Sequence, residues 1–209
     1  MKLAEALVEC PVVAILRGVR PDEVVEHVHA LYAAGIRAVE VPLNSPEPLN
    51  SLRRIVAAFE GRMTIGAGTV LAADRVDAVA EAGGRLIVSP NTDVAVIRRA
   101  VELGLECAPG FATASEAFAA YGAGARHLKL FPATTYGPIH LRQLKAVLPA
   151  DAIVWAVGGV GPDSMADWWA AGARAFGLGG ELFRPGQAAR ETAENAMRIK
   201  ASVEAFRSE

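Results

Sequence analysis

One short pattern recurs along this chain and sets its architecture: a helical stretch ends at glycine and a brief apolar run follows. Ala34-Gly35-Ile36-Arg37, Ala82-Gly83-Gly84-Arg85, Gly124-Ala125-Arg126 and Ala171-Gly172-Ala173-Arg174 carry the mark with an arginine, and Leu103-Gly104-Leu105 carries it without one. A glycine just past a helix can take the left-handed backbone that other residues avoid. The continuous apolar run behind it reads as a strand buried on both faces, the habit of parallel sheets.

Eight such runs are present, at 12–16, 38–43, 63–66, 86–89, 106–108, 127–131, 153–157 and 175–178. Helical patterns separate them. Val24, Val25, Val28, Leu31 and Tyr32 form one stripe behind Pro21, Asp22 and Glu23, and Leu49, Leu52, Ile55, Val56 and Phe59 form a second behind Pro46. Thr113-Ala114-Ser115-Glu116 is a capping box opening a helix with Phe118 and Tyr121. Leu141, Leu144, Val147 and Leu148 mark another helix, and Met165, Trp168 and Trp169 one more.

Strict alternation implies a parallel sheet wound by right-handed crossovers. Eight units in 209 residues, with no linker-like tract between them, predict a small α/β (β/α)8 TIM barrel, one domain over 1–209. An open doubly wound sheet is the competitor. It would often carry Gly-x-Gly-x-x-Gly after its first strand, where this chain has Leu16-Arg17-Gly18-Val19-Arg20. The barrel is the expected fold.

Composition narrows the partners. Hydrophobic residues at 52% and charged ones at 21% exclude disorder, and a net charge of -2 offers no basic field to a nucleic acid. No charge-free apolar run approaches the ~18 residues of a membrane span, and Glu5, Glu9 and Pro11 interrupt any secretion-signal pattern. A cytoplasmic protein is expected, free of membrane and nucleic-acid partners. Cys10 and Cys107 have neither metal-ligand nor disulfide spacing, and His27, His29, His127 and His140 form no ligand set. No metal or other cofactor is expected. Of the adjacent Trp168 and Trp169, one is expected to point outward, which favours oligomerisation.

In a barrel, chemistry collects at the C-terminal strand ends. Only four lysines occur, Lys2, Lys129, Lys145 and Lys200, and Lys129 alone lies in a strand pattern, His127-Leu128-Lys129-Leu130-Phe131-Pro132. It is either a structural lysine paired with a carboxylate or a Schiff-base nucleophile whose amine an apolar wall keeps neutral. Glu40, inside Ala38-Val39-Glu40-Val41-Pro42, is correspondingly either its counter-ion or a general acid/base moving protons through imine chemistry. Arg17 and Thr69 are further polar groups at strand ends.

The last two strands run into Gly158-Gly159-Val160-Gly161 and Gly177-Leu178-Gly179-Gly180. They are either simple tight turns or a phosphate site. Glycine lets backbone N–H groups approach an anion, and barrels often hold phosphate between these two loops, with a helix N-terminus behind. A phosphorylated small-molecule substrate follows from the second reading.

With these residues placed, the chain resembles the class I KDPG/KHG aldolase family over nearly its whole length. The matching segments are Ala14-Ile15-Leu16-Arg17-Gly18, Val39-Glu40-Val41-Pro42-Leu43-Asn44-Ser45-Pro46, Gly66-Ala67-Gly68-Thr69-Val70, Val88-Ser89-Pro90-Asn91, Leu128-Lys129-Leu130-Phe131-Pro132-Ala133 and Val157-Gly158-Gly159-Val160. The resemblance implies a metal-free homotrimeric barrel that cleaves a 2-keto-3-deoxy-6-phospho-aldonate to pyruvate and D-glyceraldehyde 3-phosphate. It implies Lys129 as the imine-forming residue and Glu40 as the proton carrier. Arg17 and Thr69 would line the substrate pocket, Phe131 and Pro90 would shape its wall, and the turns at Gly158, Gly159, Gly179 and Gly180 would take the phosphate. Asn44 and Val157 stand where gluconate-type relatives usually carry Arg and Thr, and so resemble the galactonate-type branch. Gly180 stands where that branch commonly has Ser, which removes one hydroxyl donor to phosphate. The alternatives are the gluconate epimer as main substrate, a phosphosugar isomerase or epimerase on the same barrel, and a non-enzymatic phospho-ligand sensor. Neither of the last two needs a buried lysine beside a carboxylate.

Overall fold

Strands and helices alternate, except where strand Glu106–Ala108 runs directly into strand Gly110–Phe111, in the computed structural model, which describes residues 1–207, so the last two residues of the expected 1–209 domain lie outside it. The strands are β1 (Val12–Ile15), β2 (Ala38–Pro42), β3 (Thr64–Gly68), β4 (Leu86–Val88), β5 (Glu106–Ala108), β6 (Gly110–Phe111), β7 (His127–Leu130), β8 (Ile153–Val157) and β9 (Ala175–Leu178). The helices are α1 (Leu3–Glu9), α2 (Val24–Ala33), α3 (Pro48–Phe59), α4 (Ala73–Glu81), α5 (Val94–Glu102), α6 (Ala114–Gly122), α7 (Ala133–Lys145), α8 (Met165–Ala170) and α9 (Ala189–Arg207).

All pairings are parallel, in the order β5-β4-β3-β2-β1-β9-β8-β7-β6. The expected fifth run, 106–108, is β5, and the extra strand β6 continues the chain just beyond it. Pro109 has no N–H to give a ladder, and it separates β5, paired with β4, from β6, paired with β7. Its carbonyl still accepts from the Lys129 N–H at 2.9 Å, so the fifth run touches both neighbours and completes the ring. The fold is the expected (β/α)8 TIM barrel with one broken strand.

The recurring glycines behave as their spacing requires. Gly35, Gly83, Gly104, Gly124 and Gly172 all have positive φ, each one residue past a helix C-cap. The arginine of the mark has a structural use of its own. Arg37, Arg126 and Arg174 donate through Nη1 to the carbonyls of Tyr32, Tyr121 and Trp169, and each guanidinium lies over the ring of that same residue. Each of these carbonyls also accepts from the glycine N–H behind the helix, that of Gly35, Gly124 or Gly172, so the cation adds a second donor at the negative end of the helix.

Two apolar cores result. The outer one packs the helices onto the barrel, with Val12, Ala14, Val39, Val41, Leu128 and Leu130 facing outward. The inner one fills the barrel floor with Val13, Leu86, Val88, Trp155 and Val157, and Leu3, Ala6 and Leu7 of α1 complete it. That helix was not expected from the sequence. Trp155 Nε1 donates to His127 Nδ1 at 3.0 Å in this floor, and burial pulls the His127 imidazole down to about 4, so it is a neutral acceptor. The tryptophan expected to point outward does not form an open apolar face. Trp168 is buried, and Trp169 packs against Phe176 and Phe206 under Arg174 and Arg207. Val147, expected on the stripe of α7, lies beyond the helix end and is exposed. Phe118 is also exposed, because α6 turns the small Ala117 and Ala120 to the barrel.

Candidate active site

A strand sends alternate side chains to opposite faces. On β2 the outward Val39 and Val41 leave Glu40 facing in, and on β7 the outward Leu128 and Leu130 do the same for Lys129. The two charged side chains therefore meet inside the barrel, in a small cavity shared with Val88, Trp155, Val157 and Gly177. Above it, a pocket of about 500 Å³ is lined by Arg17, Thr69, Pro90, Lys129, Phe131, Val157, Gly158, Gly159, Gly179 and Gly180. Every expected site residue except Glu40 and Asn44 lines it. Lys129 belongs to both spaces and connects them.

Glu40 is 2% exposed, and its Oε2 has no hydrogen-bond partner among the described residues. Gly68 makes the room, since a Cβ there would overlap the carboxylate. Burial pushes Glu40 up to about 7, against the opposing pull of Lys129 and then Arg17. Burial likewise pushes the Lys129 amine below its ordinary value, with Glu40 resisting and Arg17 adding to the shift. Among the described residues no ion pair joins the two, and Lys129 Nζ stands 4.7 Å from the Phe131 ring centre. A desolvated, unpaired carboxylate beside an amine drawn toward neutrality can exchange protons near neutral pH and expose a nucleophile.

Thr69 lines the pocket just past β3 with φ at +56°. Left-handed backbone on a β-branched residue costs roughly 1–3 kcal/mol, and such strain collects at functional sites. Arg17 Nη1 donates to Asn44 Oδ1 at 2.6 Å, and the Gly18 N–H donates to Ser45 Oγ at 2.9 Å. Asn44 therefore reaches the pocket through Arg17. Its own side lines a neighbouring groove with Leu43 and Leu71, which meets the pocket at Thr69.

The glycine turns differ in kind. Gly158 and Gly159 have φ of +99° and +72°, and a Cβ on Gly159 would come within 2.7 Å of the Thr134 side chain, so the fold itself demands glycine there. Gly179 and Gly180 have ordinary φ, and a Cβ on either would find its nearest neighbour at 3.8 or 3.9 Å. The fold makes no such demand on them, and the space belongs to the pocket. The helix start expected directly behind each turn is not there. Further turns intervene, α8 begins at Met165 and has only six residues, and α9 begins at Ala189. Backbone N–H groups, not a helix terminus, are what these turns offer an anion.

The sequence model of a known enzyme family, described as "Aldolase: KDPG and KHG aldolase", matches residues 3–200 of this chain. The chain belongs to the KDPG and KHG aldolase family. It is 51% identical over 197 residues to the 2-dehydro-3-deoxy-6-phosphogalactonate aldolase of Escherichia coli (strain K12), covering 94% of this chain and 95% of that one. It is 45% identical over 197 residues to a probable 2-dehydro-3-deoxy-6-phosphogalactonate aldolase of Rhizobium meliloti (strain 1021), covering 94% and 93%. A solved structure described as native KDPGal superposes with a TM-score of 0.95 at 48% identity, covering 96% of this chain and 98% of that one.

The aldolase pocket also contains residues that strand-end reasoning missed. Glu181, Phe183, Arg184 and Pro185 line it from the segment after β9. A charged residue a few positions beyond a strand-end glycine in a barrel is a signal that could have found the two ionic ones. Among the described residues no cluster of three His, Cys, Asp or Glu side chains could hold a metal ion.

Proposed function

We propose that this aldolase cleaves 2-dehydro-3-deoxy-6-phospho-D-galactonate to pyruvate and D-glyceraldehyde 3-phosphate through an imine on Lys129. The observation that carries the reading is the meeting of Lys129 and Glu40 at the base of the pocket, each buried and each shifted toward neutrality. The neutral amine attacks the C2 carbonyl, giving a carbinolamine that loses water to an iminium. Glu40 takes the C4 hydroxyl proton as the C3–C4 bond breaks, and that electron pair passes into the iminium to form an enamine. The aldehyde leaves, Glu40 returns the proton to C3, and water releases pyruvate and the free amine.

Arg17, steadied by Asn44, and Thr69 hold the carboxylate end of the substrate, and Pro90 and Phe131 wall the reacting carbons. Backbone N–H groups at Gly158, Gly159, Gly179 and Gly180 take the phosphate. A methyl at Gly179 would stand in pocket space that the phosphate is to enter, so Gly179→Ala is expected to raise KM for phosphorylated substrate about tenfold, roughly 1.4 kcal/mol. Borohydride trapping of pyruvate by that variant should persist. Equal loss of both would place the defect in folding.

The galactonate epimer is favoured by the two relatives and by Val157, which is 3% exposed and presents an apolar wall to both cavities. A site that pairs a substrate hydroxyl discriminates strongly, whereas an apolar wall discriminates weakly. We expect the galactonate compound to be cleaved with the higher kcat/KM, the gluconate epimer to be tolerated, and Val157→Thr to shift the ratio toward gluconate. Assays of both purified epimers decide it, and a clear gluconate preference in the parent enzyme would overturn the assignment.

A homotrimer working in the cytoplasm completes the proposal. Leu71, Tyr136 and Ile139 are exposed apolar side chains that an interface would cover. No helix among the described residues is long and apolar enough to cross a membrane. Cys10 and Cys107 are buried free thiols, pushed up to about 11 and about 12 by burial, and so chemically quiet.

A further inference from the structure

The charge inventory of the pocket is uneven. At its carboxylate end stand Arg17 and Lys129 over Glu40, while at the turn end, beside Gly179 and Gly180, stand Glu181 and Arg184. A phosphate dianion at that end faces a turn in which Gly180 provides no side-chain donor, so backbone N–H groups alone would have to meet it.

Arg184 is built to do more. Its Nε donates to the Gly180 carbonyl at 3.1 Å, which fixes the guanidinium plane against the turn. No hydrogen bond or ion pair joins its Nη1 and Nη2 to any described residue. The segment that carries it is held on several sides. The Arg184 N–H donates to Gln187 Oε1 at 3.0 Å, and Gln187 Nε2 donates to the Leu182 carbonyl at 2.8 Å and to Thr192 Oγ1 at 2.7 Å. Phe183 packs edge-on against the buried His27, with ring centres 4.7 Å apart. Glu181, the one carboxylate lining the pocket, is drawn off by Arg198 at 3.9 Å. A guanidinium held at Nε, whose Nη1 and Nη2 have no partner among the described residues, suits a phosphate at the anion end of a pocket, since it can meet the oxygens in pairs.

We propose that Arg184 binds the substrate phosphate, supplying through its side chain the donor that Gly180 lacks. The assignment rests on the aldolase reading for its substrate and on the pocket geometry for its place.

The test measures aldol addition of pyruvate to D-glyceraldehyde 3-phosphate and to unphosphorylated D-glyceraldehyde, in the parent enzyme and in Arg184→Ala, Arg184→Gln and Arg184→Lys. In Arg184→Ala the ratio of kcat/KM for phosphorylated over unphosphorylated aldehyde is expected to fall about tenfold, the scale of one charge-assisted hydrogen bond at a solvent-open site. Gln can still donate to the Gly180 carbonyl but carries no charge, so it should stay near the Ala value. Lys restores charge and should recover part of the ratio. A ratio within twofold of the parent in Arg184→Ala, or Gln matching the parent while Lys does not, would overturn the assignment and leave Arg184 as a clasp on the turn. Calorimetric titration with inorganic phosphate alone provides an arm independent of catalysis. Weaker binding in Arg184→Ala supports the site, and unchanged binding counts against it. Should the parent enzyme bind phosphate through Arg184 yet catalyse no aldol addition, the aldolase reading would fall while the phosphate site stood.

Discussion

Lys129→Arg is expected to leave no more than trace retro-aldol activity. The change keeps a cation on β7 and removes the only property that the mechanism needs, an amine that can lose its proton. A guanidinium stays charged at any working pH, and it cannot form the imine. Lys129 is 6% exposed in a cavity walled by Trp155, Val88 and Val157, so the larger head also strains the packing. Lys129→Met serves as the partner variant: it fills the same space without charge and should fold and be equally inactive. Circular dichroism and thermal melting of both establish that the fold is present. Substantial turnover by either folded variant would remove Lys129 from the chemistry.

Glu40→Gln should slow turnover by roughly 10²–10⁴-fold, the range that a positioned acid/base contributes. The amide matches the carboxyl in shape and fits the room that Gly68 leaves for it, so the fold should hold. The pH profile separates a proton carrier from a structural partner. Glu40 must be ionised to take the C4 proton, so parent activity should fall as pH drops through about 7, a limb that the Gln variant should lack. Stability carries the opposite sign. Burial raises the folded-state value above the unfolded one, so the protonated form favours folding. That contribution is complete below the unfolded value of 4.5 and is lost as pH rises through about 7. Glu40→Gln should therefore melt higher relative to the parent at pH 8 than at pH 5. Turnover within a few-fold of the parent, with the acid limb intact, would reduce Glu40 to a partner of Lys129.

The fold was legible because a parallel barrel writes its period plainly. Gly35, Gly83, Gly104, Gly124 and Gly172 mark helix ends through a backbone angle that no other residue takes as easily. Lys129 and Glu40 were legible for a related reason: a charge inside an apolar strand must be compensated or used. What depends on reach was not legible. The hydrogen bond from Arg17 to Asn44 joins residues from two different strand ends, and no spacing reports it. Arg184 lies in the irregular segment between Gly180 and α9, where neither period applies. The seven residues of α1 alternate Glu5 and Glu9 with Leu3, Ala6 and Leu7, a pattern too short to stand out although it closes the barrel floor. Pro109 was readable as a strand breaker. Its carbonyl could not be read as the acceptor that keeps β7 in the ring.

The central claim is that a covalent imine forms on one particular lysine, and trapping tests it most directly. The protein is incubated with pyruvate, reduced with borohydride, digested, and its peptides mapped by mass spectrometry. With only Lys2, Lys129, Lys145 and Lys200 to distinguish, the assignment is unambiguous. A single reduced pyruvate adduct on the Lys129 peptide is the expected result. A chain that cleaves its substrate without forming an adduct, or that carries the adduct on any of the other three lysines, would contradict the account.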